Sequence, residues 1–442
     1  MAAYLSRLHH IALHVGNVDK TTLELVTKFK FNLFAVRRTR ESRQYALRKG
    51  SAVFVVNERL SRTFTLNEGA AWSSRYSSVT PQTLNDDARF LYGVQDNYCV
   101  DTACNVCFEV EDVESVFNSL YKRGCDFLVP PTSVVDDNGR VTYSVVKSIV
   151  GNVCHTLIDR TKYKGEFLPG FQDVNIDTAV STDGESSCSI CHFDHITYAC
   201  PRKSTPEVMR WYEKNFGFKR FFIDRNEGVN EGYVIDQDGI GLRLTAMEYW
   251  KCSELGVSLP FKNKRDPDCK FVVAESLPDQ GPNQVDSFLE QHGGGGIQHV
   301  GLYTPDIVST VHALAEAGVQ FFSPPPTYYT QVGKQQEIED AGHDPQLLSQ
   351  HGILLDSDLR QNVSDNHQTA TGNKRYLLQV FTRPIFTEDT FFLELIERRG
   401  AMGFGEGNIR ALWRSVQAYM EGEDRERQAL VSGAATADSS CH

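Results

Sequence analysis

Polar and apolar positions alternate through "RLHHIALHV" (Arg7 to Val15), the two-residue period of a strand with one buried face. Further along, the period changes to that of a helix, and the whole pattern then recurs. "NVCFEVEDVESVFNSLYKRGCDFLVPP" (Asn105 to Pro131) lies without a gap on "HVGLYTPDIVSTVHALAEAGVQFFSPP" (His299 to Pro325). Each stretch reads as an apolar strand, an acidic cap, an amphipathic helix, a glycine stop (Gly124, Gly318), a second strand and a Pro-Pro. A looser pair sets "RLHHIALHV" and "KFKFNLFAVRR" against "HFDHITYAC" and "KNFGFKRFFID". Closing strands pair too, "HTLIDR" (His155 to Arg160) with "LELIER" (Leu393 to Arg398).

The repeats predict an α+β protein of four βαβββ-type modules, two per half, forming curved mixed sheets that enclose a cavity. At 442 residues the chain exceeds one ordinary core, so the halves are expected as separate domains, residues 1–165 and 190–421. They join through "TKYKGEFLPGFQDVNIDTAVSTDGESS", whose end has linker composition. Residues 60–95 and 356–374, rich in Ser, Thr, Asn and Asp, read as mobile insertions, and residues 422–442 as a flexible tail.

Charge narrows the partners. A net charge of -12 without a Lys/Arg block argues against nucleic acid and anionic membranes. No apolar run reaches the roughly 18 residues of a transmembrane helix. Eleven cysteines, scattered singly through apolar segments, suggest reduced buried thiols. Of the two CxxC pairs, Cys104/Cys107 lies on a strand that points its thiols to opposite faces. Cys188/Cys191 reads "CSICH", a haem-c pattern in a chain with no export signal, and neither pair is expected to bind metal. The first acidic residue is Asp19, as in a transit peptide, yet the strand pattern from Arg7 leaves little to remove.

Candidate chemistry begins at Glu394, inside the apolar run Phe391, Phe392, Leu393, Leu395, Ile396. A buried carboxylate requires a partner. The repeats pair Glu394 with Thr156, His299 with Asn105, and His195 with His10. The second half thus carries two histidines and a carboxylate on module strands where the first keeps one histidine. That is the facial-triad composition for non-haem Fe(II), one ion per chain, with three positions left for a bidentate substrate and dioxygen. The competing reading pairs Glu394 with Arg398 or Arg399. His292 and His343 are expected at exposed loops, His312 on a helix surface and His442 in the tail.

Gln379 interrupts "YLLQVF" and is either a buried amide or a sheet-edge amide facing water. Gln298 precedes His299, Gln284 lies on the preceding helix, and Phe381 is a ring-stacking or a core residue. Gly403, Gly405 and Gly407 precede a stripe of Ile409, Leu412, Trp413, Val416 and Met420, read as a hinged gate or a docked helix.

Six strings carry a family resemblance: "YKGEFLPGF" (163–171), "FDHITY" (193–198), "GGGGIQHVGLYTPDI" (293–307), "FFSPPPTYY" (321–329), "YLLQVFTRPIF" (376–386) and "FFLELIERRGAMGFGEGNIRALW" (391–413). With them the chain resembles the 4-hydroxyphenylpyruvate dioxygenase family of the vicinal-oxygen-chelate fold. The resemblance implies Fe(II) held by His195, His299 and Glu394, and a 2-oxo acid and O2 as substrates. It places Gln284, Gln298 and Gln379 near the substrate phenol or its water network, with Phe381, Phe404 and Ile409 on the pocket. It is closest to the subgroup of dioxygenase-like proteins. "AESLP" (274–278) stands where homogentisate-forming members have an Asn-Glu-Pro run, and Ile409 where they have a Phe.

Those departures direct the expectation to 4-hydroxymandelate and CO2 as products, in quinone head-group synthesis in mitochondria. Homogentisate formation is the first alternative. An extradiol or glyoxalase-type enzyme and a non-catalytic binding or regulatory protein are the others. A homodimer is implied by the resemblance alone.

Overall fold

Two mixed β-sheets, one per half of the chain, carry the structure, which is a computed structural model. It describes residues 5–60, 98–174, 188–223, 227–228, 231–237, 240–249, 269–278, 283–357, 375–401, 403–405 and 407–409. The two proposed insertions, apart from their end residues, and the tail lie outside these residues, as do Leu412, Trp413, Val416 and Met420.

The first sheet comprises β1 (Arg7–His14), β2 (Asn32–Arg38), β3 (Ser42–Lys49), β4 (Ala52–Arg59), β5 (Thr102–Glu109), β6 (Phe127–Asp136), β7 (Gly139–Lys147), β8 (Cys154–Tyr163) and β9 (Gln172–Asp173). Their order is β6-β7-β8-β5-β1-β4-β3-β2-β9. The second comprises β10 (His192–Ala199), β11 (Phe218–Phe221), β12 (Tyr233–Gln237), β13 (Ile240–Tyr249), β14 (Lys270–Ser276), β15 (Gly296–Tyr303), β16 (Leu354–Ser357), β17 (Tyr376–Phe381) and β18 (Phe392–Arg399). Its order is β11-β13-β14-β10-β15-β18-β17-β16, with β12 beside β13.

The middle of each sheet is built alike. The antiparallel pair β1/β5 is flanked by parallel β4 and β8; the antiparallel pair β10/β15 is flanked by parallel β14 and β18. Even the bulges coincide, between Leu8 and His10 in the first half and between Phe193 and His195 in the second. The aligned helices Val113–Lys122 and Ile307–Glu316 begin with the same device. Asp112 and Asp306 each accept a hydrogen bond from the backbone N–H three residues on, Ser115 and Ser309, filling an otherwise unmet helix-start donor.

One predicted strand is missing. After Gly318 the chain makes only a bridge at Phe321, paired with Thr382, and then three short helices between Thr327 and Gln350. Pro324, Pro325 and Pro326 supply no backbone donors, which removes the ladder there. The corresponding Pro130 and Pro131 are tolerated in β6 because it is an edge strand with register shifts at that point.

Alternation along the strands sorts the side chains. On β10, Ile196 and Tyr198 join the large core shared by both halves, while His195 and Thr197 face the other side. The halves meet through Phe54 on Phe193 and Phe108 on Phe271, with ring centroids 5.2 and 6.3 Å apart. They also touch backbone to backbone: Ser51 N–H donates to the Cys191 carbonyl, and Gly151 packs on the Gly295 carbonyl.

Candidate metal centre

Gly301 is the fixed point of the site. It pairs with His195 on β10 on one side and with Glu394 on β18 on the other, so those side chains flank it on the same face. His299, two residues along β15, projects beside them. His195 Nε2 lies 3.1 Å from Glu394 Oε2, and His299 Nε2 lies 3.6 Å from the same oxygen. Three adjacent strands thus deliver two imidazole nitrogens and one carboxylate oxygen to a single point, with His195 and Glu394 buried and His299 partly so.

Each donor is fixed from behind. The bulge before His195 brings Asp194 to its side, where Asp194 Oδ1 lies 3.0 Å from His195 Nδ1. Arg398 grips Asp194 through both carboxylate oxygens at 2.7 Å and also donates to the Gly403 carbonyl. Burial opposes ionisation of Asp194, but Arg398 and His195 hold its carboxyl well below the usual range. Gln379 Nε2 donates to Glu394 Oε1 at 2.8 Å and to the Phe404 carbonyl at 3.2 Å, while Asn408 Nδ2 donates to Gln379 Oε1. The His299 ring stacks on Phe392, with centroids 4.6 Å apart.

The surroundings suit a cation. Burial alone would lower His195, yet Glu394 and Asp194 hold its pKa up at about 9, so the site is arranged to retain positive charge. His299 is kept neutral by burial and by His195. Its Nδ1 has no partner among the described residues. Two neutral-capable imidazoles and a carboxylate on one face, with room opposite, fit Fe(II). The alternative arginine partners are engaged elsewhere, Arg398 with Asp194 and Arg399 with Glu397.

All nine residues singled out from the sequence line one cavity of about 60 Å³: His195, His299 and Glu394 at its floor, with Gln284, Gln298, Gln379, Phe381, Phe404 and Ile409 around them. Gln379 is a buried amide rather than an edge one, and its hydrogens are taken by Glu394 and Phe404. Gln284 Oε1 is buried without a partner among the described residues. Thr197, Ile223, Leu244, Val272 and Ala274 complete the wall. Of these, Ala274 belongs to the "AESLP" run already singled out; sequence reasoning missed the other four, Asp194 and Asn408, and only Asp194, next to a ligand in "FDHITY", left a trace.

His292 is not exposed. It is buried, with Nε2 2.8 Å from the Thr102 hydroxyl of the first half and Nδ1 2.9 Å from the Gly294 carbonyl. His343 is half-buried, 3.1 Å from the Tyr376 hydroxyl, and His312 is on the surface as expected. Neither CxxC pair joins a metal-binding group as a pair among the described residues.

Residues 192–344 match the model of the Glyoxalase/Bleomycin resistance protein/Dioxygenase superfamily. The chain is 41% identical to the rat 4-hydroxyphenylpyruvate dioxygenase-like protein over 94% of its own length and 98% of that protein's; the human counterpart gives the same figures. A 4-hydroxyphenylpyruvate dioxygenase of Yarrowia lipolytica is 30% identical over 92% of this chain and 90% of that one. Among solved structures, a triple mutant of 4-hydroxymandelate synthase from Streptomyces coelicolor shares the fold, with a TM-score of 0.64 at 23% identity, covering 94% of this chain and 99% of that one.

Proposed function

The chain belongs to the 4-hydroxyphenylpyruvate dioxygenase-like family, and from that premise we propose that it converts 4-hydroxyphenylpyruvate and O2 to 4-hydroxymandelate and CO2. His195, His299 and Glu394 would hold the family's iron(II). The convergence of these three donors inside one largely apolar cavity is the observation that carries the reading. Bound there, iron(II) supplies a site where a 2-oxo acid chelates and dioxygen is activated.

The protein's own groups set the geometry. Asp194, accepting from His195 Nδ1–H, leaves Nε2 with the lone pair that faces the metal position. Gln379 occupies Glu394 Oε1 and so turns Oε2 to the two imidazoles. Phe404, its ring centroid 5.4 Å from that of His195, and Ile409 give the cavity apolar wall beside the metal position, where they would keep water from the reacting groups. Gln284 and Gln298 offer amides to the phenol end of the substrate.

Product choice rests on how the ring is held. Benzylic and ring carbons differ in position by about an ångström or two, a displacement sufficient to redirect a reaction. Ala274 and Ile409, at the two places where homogentisate-forming members differ, both line this cavity, which supports benzylic hydroxylation. The mitochondrial location and the quinone branch belong to the same reading.

Iron-reconstituted protein incubated with 4-hydroxyphenylpyruvate under air tests it. 4-Hydroxymandelate that vanishes with Glu394→Ala is the expected result. Homogentisate would keep the triad and overturn the product; neither product from iron-loaded protein would overturn the substrate.

A further inference from the structure

The first half retains His10 where the second has His195, and the surrounding chemistry has moved by one residue. His9 stands at the place of Asp194, and Cys107 at the place of Gly301. The coincident bulge that sets Asp194 beside His195 sets His9 beside His10, and their Nδ1 atoms are 2.7 Å apart. Cys107 pairs with His10 across the β1/β5 ladder. All three side chains are buried, and one donor atom of each lies within 4.8 Å of the others. Meanwhile the counterparts of the other two ligands have closed on each other, Asn105 Nδ2 donating to Thr156 Oγ1 at 2.8 Å.

We propose that His9, His10 and Cys107 form a second metal site, separate from the triad, that takes a zinc-class divalent ion. Two imidazoles and one thiolate are the donor set of a borderline-soft metal, whereas the triad, with its oxygen donor, suits iron. Tetrahedral zinc bonds of about 2.0–2.3 Å place neighbouring donors about 3.3–3.7 Å apart, so the imidazoles, 2.7 Å apart, open by about half an ångström and the thiol closes by at most about one.

A carboxylate also stands behind this site, farther off than Asp194 stands from His195. His9 Nε2 lies 3.8 Å from Glu109 Oε1, and Glu109 is held by Arg7 through both its oxygens. A carboxylate behind a ligating imidazole fixes its tautomer and strengthens it as a donor. Burial, with Arg160 and Arg7, keeps His9 neutral, and burial and His9 do the same for His10, which is the metal-binding form. A cavity of about 240 Å³, lined by residues of both halves, reaches the cluster at His9, while His10 and Cys107 lie behind it in the core.

Binding balances as follows. Cys107 loses its thiol proton to solvent, since burial holds the free thiol protonated. The proton on one of the facing Nδ1 atoms shifts to that ring's Nε2, which in His9 faces Glu109. Each ion bound therefore releases one proton.

The test is a cobalt(II) titration of metal-free full-length protein. Two ions per chain are expected, one of them producing a thiolate-to-cobalt charge-transfer band that the triad, lacking sulfur, cannot give. Cys107→Ala should remove the band and one ion per chain while leaving the other; the side chain shrinks toward the glycine found at the matching position 301. His10→Gln, which keeps the buried volume polar but removes a ligand, should weaken the band-forming site by at least the roughly 10–100-fold that loss of an outer-shell partner costs. A saturated wild type with no such band would overturn the proposal, as would a band that survives both variants.

Discussion

The His195 imidazole occupies the space that a β-carbon on Gly301 would need. Any side chain at 301 meets the ring atoms of a group the metal position depends on. Gly301→Ala is therefore expected to lower iron affinity on the order of 10–100-fold with the far-UV circular dichroism unchanged. Wild-type iron binding by this variant, read by titration, would show that the ring has freedom the packing denies it.

Asp194→Asn keeps the shape of the carboxylate but removes the charge that His195 and Arg398 share. Iron affinity should fall about 10–100-fold, and denaturant stability should fall with it because the partly buried Arg398 is left beside a neutral amide. An unchanged affinity would mean that the imidazole is oriented by its packing alone.

Gly405 has φ of +71°, and a β-carbon there would collide with Gln379 Oε1. Gly405→Ala should cost about 1–2 kcal/mol in backbone strain and should also displace the amide that holds Glu394. Turnover is expected to fall more than the Tm change accounts for. Equal activity per folded molecule would remove Gln379 from the support of Glu394.

His155 links the halves. Its Nε2 lies 2.8 Å from the Tyr212 hydroxyl, which in turn sits 3.0 Å from those of Tyr198 and Ser148. Burial pushes its pKa down to about 4, against an unfolded value of 6.5. Between those values the unfolded chain holds a proton that the folded chain lacks, so stability is full above about 6.5 and declines as pH falls toward 4, by about 3 kcal/mol in all. His155→Gln should flatten that part of the stability–pH curve measured by urea unfolding. An unaltered slope would assign the acid sensitivity to other groups.

The triad was legible because duplication supplied a comparison: Thr156 and Asn105 show that the strands form without Glu394 and His299. The strands and capped helices were legible for the same reason. His292 was not, because "HGGGGI" describes only its own loop, while its burial comes from Thr102, a residue far away in the chain. Ile223, Leu244 and Val272 look like any strand residues until the sheet curls and turns them to the cavity. The strand predicted after Gly318 was lost to three successive prolines, whose missing donors outweighed the repeat.

Gly50 and Gly151, where the first half presses on the carbonyls of Cys191 and Gly295, leave no space for a single added carbon, and both have positive φ. The halves are consequently not free modules in recombination. A first half borrowed from a relative can be grafted onto this second half only if it brings glycine to both places; otherwise the graft fails at the seam, however well its strands match. The history of such a chain is thus constrained at its seam as well as at its metal position.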